Sequence, residues 1–125
     1  LEINQAGMSL EDFATSDITI EVRNRYTTHF AGLSPIDVEL HPKNALNTAI
    51  NTIKEYDVIG FLDDFVNFTD SLRLQAELKY KYDNKRINVT KKRAAIDEIP
   101  LSVINTIKEI NYLDLELYEK IRSSI

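Results

Sequence analysis

Between Lys79 and Arg93 the chain carries seven lysines and arginines against one acid, Asp83, a local charge of +6 in a 125-residue protein whose formal net charge is −5. The rest of the chain therefore holds −11. Lysine and arginine supply positive charge and hydrogen-bond donors, arginine as a planar fork matched to phosphate oxygens. Asn88 and Thr90 add neutral donors and acceptors suited to a sugar or a base. One concentrated cationic segment on an acidic chain suits a single small anionic ligand better than a long polyanion, which the acidic remainder repels. A solvated basic surface loop has the same charge pattern, and spacing alone does not separate the two. Nucleic acid is not expected as a partner: the charges sit in one segment rather than along a groove, and Tyr80 and Tyr82 precede that segment instead of interleaving with it.

Other reactive residue types are sparse. The chain has no cysteine, which excludes disulfide scaffolds, thiol catalysis and sulfur-ligated zinc. His29 and His41 are its two histidines and stand too far apart for a recognisable metal-ligand spacing, so no metal is expected. His29 has no residue near it in sequence to orient it as a base. Asp63 and Asp64 follow a short apolar run, a position where α/β enzymes place catalytic carboxylates, but capping of the next helix is the more economical role. Asp114 and Glu116 lie close to Tyr118, which on an aliphatic face reads as core. The three glycines, at 7, 32 and 60, form no Gly-x-x-x-x-Gly-Lys pattern.

The elements that must position these residues are mostly helical. Ser9 with Asp12 three residues on marks a helix start in "SLEDFA". In 17–35 the signals conflict: Ile18, Ile20 and Val22 alternate as in a strand, while Val22, Tyr26 and Phe30 have helical spacing. Gly32 and Pro35 end whichever forms, and the expectation is a short extended start followed by a helix. Ala45, Leu46, Ala49, Ile50 and Ile53 line one face of a helix opened by Pro42. "YDVIGFL", 56–62, has the pattern of a buried strand. Phe65, Phe68, Leu72, Ala76 and Leu78 share one side of a helix from Asp64 to about Tyr80, and a long loop follows as far as Pro100. The last segment, with Val103, Ile104, Ile107 and Ile110 and then Leu113, Leu117 and Ile121, predicts two helices or one bent around Asn111. No run of about 18 apolar residues spans a membrane.

Taken in order, three stretches resemble the C-terminal part of the carbohydrate-type sulfotransferases, the superfamily that includes heparan sulfate 2-O-sulfotransferase. The first is "YDVIGFLDDFVNFTDSLRL", with Val58, Gly60, Phe65, Ser71 and Leu72. The second is "INVTKKRAAIDEIP", with Asn88, Val89, Thr90 and Arg93. The third is "INYLDLELYEKI", with Asn111, Leu113, Asp114, Leu117 and Tyr118. Upstream, "SLEDFATSDITIEVRNRYTTHFAG" is similar to the family's segment that ends in an Asn-x-x-Thr stretch and a Leu/Phe-x-Gly, so the likeness covers nearly the whole chain.

The resemblance implies a single domain over 1–125: a mostly helical α/β fragment of a P-loop-type sulfotransferase fold, with one or two strands and four or five helices. It implies an enzyme that moves a sulfuryl group from 3′-phosphoadenosine 5′-phosphosulfate to a hydroxyl, usually of a carbohydrate. Asn88 and Thr90 would touch the nucleotide, and Lys91, Lys92 and Arg93 would neutralise its phosphates. The phosphosulfate loop, catalytic base and 3′-phosphate residues belong to an N-terminal half expected to be absent, so this chain alone is expected to turn nothing over. A homo-oligomer is compatible with this reading. The sequence departs from the family where Asp63 or Asp64 stands for the usual Glu, and where Thr28 and His29 follow the Asn-x-x-Thr stretch in place of an arginine. From a different class, a small helical interaction domain docking an acidic partner through the basic loop accounts for the same charges.

Overall fold

The computed structural model describes residues 2–3, 7–79 and 95–125. Among these the chain runs β1 (Glu2–Ile3), β2 (Met8–Ser9), α1 (Leu10–Thr15), α2 (Arg25–Ala31), α3 (Pro35–Leu40), α4 (Pro42–Lys54), α5 (Phe65–Gln75), α6 (Leu101–Ile110) and α7 (Tyr112–Ser123). Short 3-10 turns lie at Asp17–Thr19, Leu62–Asp64 and Ile96–Glu98. The molecule is mostly helical, as expected. Its strands are two-residue pieces paired antiparallel, Glu2 opposite Ser9 and Ile3 opposite Met8. The chain divides into two compact units, one of residues 1–54 with 94–125 and one of residues 55–93.

In the first unit local capping chemistry sets the helix starts. Ser9 Oγ accepts from Asp12 N at 3.1 Å to open α1, and Ser34 Oγ accepts from Asp37 N at 3.2 Å to open α3, with Pro35 in its first turn. The extended start expected at 18–22 is instead a 3-10 turn. Thr19 Oγ1 donates toward the Ala14 and Ser16 carbonyls, at 3.0 and 2.9 Å, and the Thr19 carbonyl accepts from Val22 N and Arg23 N. These local bonds satisfy backbone groups that a lone strand would leave unpaired. Arg23 clasps the turn, donating from Nη2 to Ser16 O at 2.6 Å and from Nε to Thr19 Oγ1 at 3.1 Å. Gly32, at φ 67°, closes α2 in the left-handed conformation, and its N–H donates to the Thr28 and His29 carbonyls.

Helix α4 is central to this unit and packs against α2, α3 and α7, while α1 packs on α6. Its inward face is close to the one its spacing predicts: Ala45, Leu46, Ala49 and Ile53 are buried, and Ile50 is half-buried. Two alanines with no exposed surface, Ala45 and Ala49, leave room for a neighbouring helix to come close. Val38 of α3 and Leu113, Leu117 and Ile121 of α7 complete the core around them. The predicted break at Asn111 is present, separating α6 from α7.

The second unit is built differently. The strand expected over 56–62 does not form: residues 58–61 have no ladder partner among the described residues, and Leu62–Asp64 is a 3-10 turn. Gly60 explains where the segment goes instead, because the Phe68 side chain occupies the place of the missing Cβ. The stretch thus folds back against α5 rather than into a sheet. Helix α5 ends at Gln75, short of the expected Tyr80. Leu78 N donates to Arg73 O at 2.9 Å around Glu77, which takes the left-handed conformation at φ 54°. No residue of α5 is buried.

Candidate functional site

Helix geometry leaves the first N–H groups of every helix without internal acceptors. In α2 these include Tyr26 N and Thr27 N, and in α7 Leu113 N and Asp114 N. An asparagine stands just before each helix, Asn24 and Asn111, the residue type best suited to cap it. Neither caps its own helix.

The caps are exchanged between the two helices. Asn24 Oδ1 accepts from Leu113 N at 3.0 Å and Asp114 N at 3.3 Å, so the residue ahead of α2 caps α7. In return Asp114, in the first turn of α7, caps α2: its Oδ2 accepts from Tyr26 N at 3.1 Å, and its Oδ1 from Thr27 N at 2.8 Å and Thr27 Oγ1 at 2.7 Å. The two asparagines tie the joint further. Asn24 N donates to Asn111 Oδ1 at 3.0 Å, Asn24 Nδ2 to Ile110 O at 3.2 Å, and Asn111 Nδ2 to Ile107 O at 2.9 Å. Thr28 Oγ1 donates to Asn24 O at 2.9 Å. Asn24, Thr27 and Thr28 are buried, Thr27 with no exposed surface.

The electrostatics agree with the geometry. One carboxylate faces the positive ends of two helix dipoles, and hydrogen bonds accepted by a charged group are roughly twice as strong as neutral ones. Asn24 holds φ 49°, a left-handed conformation that asparagine tolerates better than other side-chain-bearing residues. That conformation lets its backbone end α2's lead-in while its amide reaches α7. With their oxygens committed to backbone donors, Asn24 and Asp114 form a structural joint rather than a reactive pair.

The sequence-derived nucleotide contacts, Asn88, Thr90, Lys91, Lys92 and Arg93, lie outside the described residues. Of the other candidates, Asp64 stands at the N-terminal boundary of α5 but makes no capping bond; its Oδ1 accepts from Asn67 Nδ2 at 2.8 Å. The capping role expected there is not filled by Asp64. His29 is exposed, with its ring edge-on to Phe30 at 5.2 Å. Tyr118 is 40% exposed rather than core, and its hydroxyl accepts from Arg122 Nη1 at 2.6 Å. Among the described residues no three His, Cys, Asp or Glu side chains gather where a metal ion could be held, and no helix is long and apolar enough to cross a membrane. The joint itself had a sequence signal: Asn24-x-x-Thr27 and Asn111-x-x-Asp114 share one spacing, from the residue before a helix to its third position. No family model, curated protein or solved structure matches the chain.

Proposed function

We propose that this chain is the C-terminal region of a carbohydrate-type sulfotransferase, closing over the adenosine nucleotide of the sulfuryl donor. The observation that supports the reading is the exchanged cap. Two of the stretches on which the resemblance rests lie 87 residues apart, yet their Asn, Thr and Asp positions bond to one another. Stretches that interlock physically are a stronger resemblance than stretches that merely occur in order.

In this reading the joint is scaffold and the basic segment is function. The donor nucleotide carries phosphate charge at both ends, and Lys91, Lys92 and Arg93 neutralise it while Asn88 and Thr90 bond its neutral groups. The transferred sulfuryl group leaves a phosphate oxygen for an acceptor hydroxyl, the S–O bond to the donor breaking as the bond to the acceptor forms. The hydroxyl proton goes to a base that no residue of this chain is assigned to be. A glycine-rich phosphate loop is absent from this sequence, so turnover needs groups this chain does not carry.

Calorimetric titration of adenosine 3′,5′-bisphosphate into the chain tests the reading, with a Lys92→Ala/Arg93→Ala variant alongside. Saturable heat that weakens at least tenfold in the variant is expected, about 1.4 kcal/mol. No heat with either protein, or equal heat with both, rejects it. The +6 segment on an otherwise acidic chain supports a second reading, an interaction domain for an acidic partner. In that case an acidic peptide binds, the double variant abolishes binding, and the nucleotide does not compete.

A further inference from the structure

We draw no further inference here: the strongest candidate, the surface patch of exposed apolar side chains Leu62, Val66 and Leu74 on and just before α5, carries nothing because nothing in the structure shows what covers it.

Discussion

The α2–α7 joint and the α5 segment lie on the same chain and are stabilised by opposite means. In the joint, polar side chains are buried and their hydrogen bonds are directional, so each partner fixes the other's position to within bonding distance. In the α5 segment apolar side chains remain at the surface, with Leu62 85%, Leu74 68% and Val66 57% exposed. Its close contact is steric, a phenylalanine side chain against Gly60. The difference teaches that burial and polarity are not opposites in this protein. The most enclosed position of α2 is a threonine, because Asp114 supplies both its backbone and side-chain hydrogen bonds.

Removing the joint's anion is the severest way to break this contrast. Asp114→Ala strips the acceptors from Tyr26 N, Thr27 N and Thr27 Oγ1 and is expected to cost about 3 kcal/mol in urea unfolding. A loss below about 1 kcal/mol would show that water replaces the carboxylate and that the joint is ornamental. Asn24→Ala comes next, at about 2 kcal/mol, since it removes the cap of α7 and strains a left-handed backbone. Because the two residues serve one joint, the double variant Asn24→Ala/Asp114→Ala should fall short of the summed losses by about 1 kcal/mol. Simple additivity would mean that the two caps act independently.

The second region is probed through shape. Gly60→Ala places a methyl group against Phe68 and is expected to destabilise the 55–79 stretch by about 1–2 kcal/mol. Hydrogen exchange at α5 amides should accelerate while the α4 amides stay protected. Equal acceleration in both helices would join what the comparison separates. The smallest effect has the opposite sign: Glu77→Gly relieves a left-handed side-chain-bearing residue and should stabilise α5 by about 0.5–1 kcal/mol. Slower exchange confined to the end of α5 is the expected record, and no change would mean that Glu77 is not strained.

Where hydrophobic spacing and burial coincide, the sequence was a sound guide. The α4 face, the Ser9 cap, the Gly32 stop and the break at Asn111 all follow from side-chain types and their intervals. It misled where burial is polar. Val22 and Tyr26 have the spacing of an inward face yet are 60% and 64% exposed, because the inward face of α2 belongs to Thr27 and Thr28. No propensity reveals that, since the carboxylate that accepts from Thr27 arrives from distant chain. The 56–62 run carried the composition of a strand, but pairing needs a neighbouring strand, and a short run cannot supply its own. The joint was half legible: its motifs stood out, while their mutual contact is a property of three dimensions.

The exchanged cap has a consequence for the order of events in synthesis. At roughly 5–20 residues per second, the ribosome adds residue 114 some 4–17 s after residue 27. Through that interval the amide groups opening α2 have no carboxylate to meet. The nascent chain therefore carries an unfinished start to α2 until Asp114 arrives, and this is when a holding chaperone would have most to grip.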